Sequence, residues 1–138
     1  MVERCTRYTL LGRVGSKDAA QVSKQMTRSA RRVGKALLKT LTLDNGKEFT
    51  QHRRIERATG LSVYFAKPCH AWERGSNENV NGLIRRKYPT GSDFSLLVGE
   101  EIREMESWLN TRPRTILGWR TPEEQMAIEQ AKAKARGN

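Results

Sequence analysis

The segment Thr42–Phe49, T-L-D-N-G-K-E-F, carries the clearest structural signal in the sequence. It overlaps the run Leu37–Leu43, whose apolar residues alternate with polar ones toward its end, and this pattern predicts a β-strand. The dipeptide Asn45-Gly46 favours a turn, so the predicted strand stops there. The carboxylate of Asp44 is therefore expected at the carboxyl end of a strand.

A second acid, Glu78, follows Gly75 and Ser76 in the segment G-S-N-E. It lies in the first turn of a predicted helix, for which Ser76 is a suitable N-cap. The end of a strand and the start of a helix can bring the carboxylates of Asp44 and Glu78 to one point. Hard oxygen ligands at one point suit magnesium, so the two acids are a candidate metal site.

Strands and helices alternate along the rest of the sequence. Strands are predicted at 2–7, 8–14, 37–43 and 61–66, and helices at about 18–34, 46–59, 76–87, 97–110 and 121–131, with a frayed end after residue 131. Thr121 is predicted to cap the last helix, and Trp108 and Trp119 are predicted core residues. This order fits an α/β or α+β layered domain.

Length and composition restrict the class of protein. A chain of 138 residues predicts a single domain, and its 26 Lys and Arg against 15 Asp and Glu give a net charge of +11, which favours a nucleic acid or an acidic surface as partner. No apolar run is long enough for a membrane span and no signal sequence is evident. Two cysteines make no disulfide framework, so a reduced, cytoplasmic protein is expected.

Much of the positive charge falls on the first predicted helix. Val22, Met26, Ala30 and Val33 share one face at helical spacing, and the opposite face carries Lys24, Arg28, Arg31 and Lys35. A charged face of this kind either keeps the helix soluble or follows the phosphates of a nucleic acid. The sequence leaves both interpretations open.

Further candidate DNA contacts surround Glu78. They are Trp72 and Arg74 in the loop before the helix, and Asn81, Arg85 and Arg86 on the helix itself. Trp72 could stack on a base or cover the core, and cations at a helix end also oppose the helix dipole. A zinc site built from Cys69, His52 and His70 is rejected because the ligand spacing is wrong.

Several ordered motifs carry a resemblance to a known family. D-N-G-K-E-F is followed by S-N-E-N-V-N-G with its Glu78, then by L-N-T-R-P-R (109–114) and L-G-W-R-T-P-E-E (117–124), and V-E-R-C-T-R-Y-T-L-L (2–11) precedes them all. Together they resemble the transposases of bacterial insertion-sequence family thirty. These belong to the DDE group of the retroviral-integrase superfamily. The resemblance covers nearly the whole chain.

The resemblance implies a ribonuclease-H-like integrase catalytic core, with a mixed sheet and flanking helices, over 1–125. Residues 126–138 would then be the end of a helix and a frayed tail. It implies metal-dependent DNA cleavage and strand transfer, with Asp44 and Glu78 as catalytic residues and ligands of Mg²⁺ or Mn²⁺. The expected partners are transposon ends and target DNA near the bacterial nucleoid, and a homo-oligomer is compatible with this function.

One part of the family pattern is missing. The resemblance places the first catalytic Asp on a strand upstream of V-E-R, so the first strand of the fold is expected to be absent. Glu3, Asp18 and Asp93 do not replace that Asp. The chain is therefore expected to be the C-terminal part of a transposase, inactive alone and weak in metal binding. Two alternatives stay open, a non-catalytic basic remnant that inhibits the intact enzyme and a nuclease of the same fold.

Overall fold

The computed structural model describes residues 1–69, 75–89 and 91–137. The chain divides into two compact units. The strand unit is Gly12–Gly75, and the helical unit combines Met1–Leu11 with Ser76–Asn138. Helices and a parallel strand pair make this an α/β protein, as the sequence predicted.

The strand unit is built on two parallel strands joined by a helical crossover. Strand β1 (Thr40–Leu43) pairs with β2 (Ser62–Phe65) in the register Thr40↔Ser62 to Leu43↔Phe65. Between them lie a 3-10 turn (Lys47–Phe49) and helix α2 (His52–Thr59). Leu41 and Leu43 are buried, which explains the alternation in the sequence. The strand of Asp44 is confirmed, although it is shorter than predicted.

Local signals set the ends of helix α1 (Ala19–Val33), which precedes β1. The Asp18 side chain caps its start by accepting the Gln21 N–H at 3.3 Å. Gly34 ends it with φ of 93°, a conformation that residues with a side chain avoid. The N–H groups of Leu37 and Leu38 then donate to the Gly34 carbonyl, so a turn takes up the first residues of the predicted strand.

Three helices form most of the helical unit: α3 (Gly75–Lys87), α4 (Gly99–Asn110) and α5 (Pro122–Gly137). The core of this unit joins α3 to α4 through Val80, Leu83, Met105 and Leu109. Trp108 packs against this core, as predicted. Among the residues that the structure describes, no helix is long and apolar enough to cross a membrane.

The predicted strands at 2–7 and 8–14 are wrong. Only one antiparallel bridge forms, between Val2 and Thr9. The Glu3 carboxylate accepts the N–H groups of Cys5 and Thr6 at 3.0 and 2.6 Å and folds the chain into a turn. Arg7 follows with φ of 61°. These local bonds use backbone groups that a longer ladder would need.

Side chains of α4 bond the backbone of the residues that follow this turn. Asn110 bonds both backbone groups of Thr9: its Oδ1 accepts the N–H and its Nδ2 donates to the carbonyl, each at 2.8 Å. The buried carboxylate of Glu106 accepts the Leu11 N–H at 2.7 Å. Buried backbone groups are thereby satisfied without a sheet partner.

Two details of the helical unit correct the sequence predictions. Helix α3 already begins at Gly75, so Ser76 lies in the first turn, where its hydroxyl accepts from the Arg7 guanidinium. Trp119 is 70% exposed with φ of 66°, so it is not a core residue. Helix α5 extends to Gly137, and the predicted fraying after residue 131 stays a prediction.

The predicted start of α5 is confirmed. The Thr121 hydroxyl accepts the Glu124 N–H at 3.1 Å, and the Glu124 carboxylate accepts the Thr121 N–H at 2.8 Å. This reciprocal pair is a capping box.

Candidate carboxylate site and nucleic-acid interface

Asp44 lies, half buried, directly after the carboxyl end of β1. Its Oδ1 accepts the Gly46 N–H at 3.3 Å, which forms the predicted turn. The Asn45 side-chain amide donates to the Ala66 carbonyl at 2.9 Å, and the Ala66 N–H donates to the Leu43 carbonyl at 2.7 Å. The turn is therefore tied to the carboxyl end of β2, the edge at which open parallel sheets bind their ligands.

The carboxylate of Glu48 also belongs to this turn. It lies so close to Gly46 that a Cβ at that position would collide with it. Glycine thus permits the approach of the Glu48 side chain to the backbone beside Asp44. Glu48 is half buried.

Glu78 is exposed in the first turn of α3, as predicted. Val80 and Leu83 turn toward the core of the helical unit. At 100° per residue, Glu78, Asn81 and Arg85 fall on the opposite side of the helix, and all three are exposed. An acid and a cation two turns apart therefore share the solvent face of α3, with the exposed Arg86 beside them.

The predicted convergence of Asp44 and Glu78 concerns two different units of the chain. Asp44 belongs to the strand unit and Glu78 to the helical unit. Within its own unit, Asp44 follows the predicted strand and Glu78 lies in the first turn of the predicted helix. Their meeting at one site stays a prediction.

Carboxylate oxygens are the donor atoms that magnesium prefers. Within 1–69, 75–89 and 91–137, however, no group of three or more His, Cys, Asp or Glu side chains could hold a metal ion. Glu3 closes the turn described above and Asp18 caps α1. Asp93 accepts the Ser95 N–H at 2.8 Å, and this hydrogen bonding lowers its pKa. The described acids could contribute ligands but do not complete a site by themselves.

A basic groove lies between α1 and α2 in the strand unit. It is open, has a volume of about 750 Å³, and is lined by cations of both helices, which are Lys24, Arg28, Arg31, Arg32 and Arg54. We call it the basic groove. A narrower groove of about 140 Å³ shares Arg31 and Ala58 with it and is lined by Lys35. Lys24, Arg28 and Arg31 of α1 thus line one groove, whereas the predicted Lys35 lies beyond the end of α1 and lines the adjoining groove.

Arg54 was not foreseen in the basic groove. Its Nη1 donates to Gln51 Oε1 at 2.8 Å, and Arg31 Nη2 donates to the Ala58 carbonyl across the groove at 3.5 Å. The sequence signal was the segment H-R-R-I-E-R in α2, but periodicity alone does not show which helix packs beside α1. The predicted contacts Trp72 and Arg74, like His70, lie outside the described residues.

Comparison with known proteins gives the class. No protein-family profile matches the chain. It is 44% identical over 122 residues to the transposase for insertion sequence element IS4351 of Bacteroides fragilis, a match that covers 88% of the chain and 37% of that protein. It is 37% identical over 124 residues to transposase InsI for insertion sequence element IS30A of Escherichia coli, covering 90% of the chain and 32% of the relative. A probable transposase for the insertion-like element IS1161 of Streptococcus salivarius is 34% identical over 130 residues.

These matches place the chain in the class of insertion-sequence transposases. More narrowly, it belongs to insertion-sequence family thirty, as the motifs predicted. The chain spans about a third of the length of these curated relatives.

Proposed function

We propose that the chain is a catalytic segment of a DNA transposase that cleaves DNA and transfers strands. The observation that carries the proposal is the 34 to 44% identity to named transposases over about nine-tenths of the chain. The proposed DNA partners are the ends of the insertion sequence and its target, at the bacterial nucleoid. A ribonuclease-H-like architecture is part of the same proposal, and the parallel β1–α2–β2 unit supports it.

Asp44 and Glu78 are the proposed metal-binding carboxylates. Divalent ions, Mg²⁺ or Mn²⁺, supply Lewis-acid stabilisation of the phosphate and an activated oxygen nucleophile in reactions of this class. Asp44 would offer its carboxylate from a turn fixed to both strand ends, and Glu78 from the exposed face of α3. Arg85 on that face would bind a phosphate oxygen of the DNA. The resemblance places a further Asp outside these residues, so metal binding by this chain would be weak.

A strand-transfer assay tests this proposal. The segment that precedes the matched region of the Bacteroides fragilis transposase is joined ahead of this chain, and the chimera is compared with the 138-residue chain. We expect metal-dependent transfer by the chimera and none by the 138-residue chain, because the two carboxylates of that chain bind the metal pair poorly. Asp44→Asn and Glu78→Gln should each abolish transfer, whereas Glu104→Gln, at an exposed position of α4, should not. Transfer by the chain alone, or by the Asp44→Asn chimera, would overturn the proposal.

A second candidate is a DNA-binding protein without catalysis, which lowers the activity of an intact transposase through mixed assembly. The basic groove favours it, because the described residues of its lining include no carboxylate and the groove would bind DNA without metal. Inhibition of a complete transposase by added 138-residue chain, with unchanged inhibition by the Asp44→Asn chain, would identify this function.

A further inference from the structure

The basic groove keeps its positive charge because the acids of its helices do not face it. Helix α1 contains no Asp or Glu over Ala19–Val33. The one acid of α2, Glu56, reaches toward β2, where its Oε1 accepts the Val63 N–H at 2.9 Å. The described residues of the lining are all neutral or basic. The groove therefore presents a positive potential that would attract an anionic partner.

The cations are arranged along a line. Lys24, Arg28 and Arg31 follow each other at helical intervals, and the rise per residue spreads them over about 10 Å. Arg54 of α2 adds a guanidinium from the other wall. Duplex DNA carries one charge per about 1.7 Å of its axis, so a stretch of this length offers several phosphates. Planar guanidinium groups also fit the oxygen pairs of a phosphate.

The uncharged part of the lining distinguishes among anionic partners. It consists of small or polar side chains, which are Ala20, Gln21, Ser23, Thr27 and Ala58. Among the described residues of this lining there is no aromatic ring on which an unpaired base could stack, which argues against single-stranded nucleic acid. A large apolar anchor, which protein interfaces favour, is also missing from this set.

We infer that the basic groove binds the sugar–phosphate backbone of duplex DNA, with Arg28, Arg31 and Arg54 as its main phosphate contacts. Contacts to phosphates hold a duplex in position without reading its sequence. The site is therefore sequence-independent and needs no metal. The inference rests on the proposed function in taking DNA as the partner, and it names where that DNA is held.

Binding measured by fluorescence anisotropy, without divalent metal, tests the site. The 138-residue chain is titrated onto labelled duplexes of two unrelated sequences over a range of NaCl concentrations. The groove variant is Arg28→Gln/Arg31→Gln/Arg54→Gln. The control variant, Arg103→Gln/Lys134→Gln/Arg136→Gln, removes the same charge from exposed positions of α4 and α5. Far-UV circular dichroism checks that both variants keep their helices, and the single change Arg54→Gln provides a milder variant.

We expect both duplexes to bind equally, and the groove variant to bind at least about tenfold more weakly than the control variant at low salt. The slope of log affinity against log salt should be less steep by about 2 to 3 for the groove variant than for the control variant, because each lost phosphate contact reduces the steepness by about 0.9. Arg54→Gln alone should lower the slope by about 1.

Equal affinities and slopes for the groove and control variants would overturn the inference and move the DNA surface elsewhere, for instance to Arg85 and Arg86. Tighter binding of single-stranded DNA, or of an acidic peptide, than of the duplex would also overturn it. Failure of strand transfer by the chimera leaves this binding result unaffected, so the groove and the proposed catalysis are tested separately.

Discussion

The Asn110 side chain bonds backbone groups of the kind that a neighbouring strand bonds in a sheet. Both of its polar atoms bond the backbone of Thr9, and both residues are buried. The bonded residues are 101 positions apart, so these contacts hold the first residues of the chain to the end of α4. No local pattern in the sequence indicates this pairing. For that reason the residues around Thr9 resembled an ordinary strand.

Replacing Asn110 should destabilise the protein strongly. Asn110→Ala leaves the buried N–H and carbonyl of Thr9 without partners, and we expect a loss of about 2 to 4 kcal/mol in the free energy of unfolding. Urea unfolding followed by circular dichroism measures the change. Asn79→Ala, at an exposed position of α3, is the control and should change stability by less than about 0.5 kcal/mol. A loss for Asn110→Ala no larger than that of the control would show that the pair does not hold the turn.

At the scale of the element, the helices end where local chemistry dictates. Asp18 and Gly34 bound α1, Gly60 ends α2 and Thr121 caps α5. These ends lie close to the predicted ones, because a cap needs only residues within one turn of the end. Strand lengths depend on partners elsewhere in the chain. The Glu3 side chain therefore shortened the predicted strand at 2–7 to a single bridge.

The same distinction applies to the candidate sites. The sequence placed Asp44 after a strand and Glu78 in a first helical turn because turn and helix signals surround each of them. It predicted the cations of α1 from their period. It missed Arg54 because the packing of α1 on α2 is a tertiary contact. Trp119 was assigned to the core from its type alone, and it is exposed.

Replacing two glycines with alanine should change stability in opposite directions, because one ends a helix and the other lies inside one. Gly60 ends α2 with φ of 75°, so Gly60→Ala should lower the free energy of unfolding by about 1 kcal/mol. Gly82 lies inside α3, where an added Cβ would meet nothing within 4 Å. Gly82→Ala should therefore raise stability by about 0.5 to 1 kcal/mol. Thermal unfolding of both variants measures the difference, and a stabilising Gly60→Ala would refute this assignment of the cap.

At the scale of the whole molecule, the chain leaves one unit and returns to it. Met1–Leu11 belong with the residues from Ser76 onward, and the strand unit is inserted between them. Asp44 and the basic groove lie in the inserted unit, whereas Glu78 and Arg85 lie in the other. Catalysis of the proposed kind needs carboxylates from both units at one metal site. The proposed function therefore depends on the binding of one metal by both Asp44 and Glu78.

Paramagnetic broadening by Mn²⁺ in nuclear magnetic resonance spectra of the 138-residue chain tests this shared metal binding. A weakly bound ion suffices, because fast exchange transfers its broadening to the whole population. We expect substoichiometric Mn²⁺ to broaden the amide signals of Asp44 and Gly46 together with those of Asn77 and Asn79. Either Asp44→Asn or Glu78→Gln should remove both effects, while Glu104→Gln should remove neither. Broadening at only one of the two segments, or persistence at one after the other acid is removed, would contradict a shared metal site.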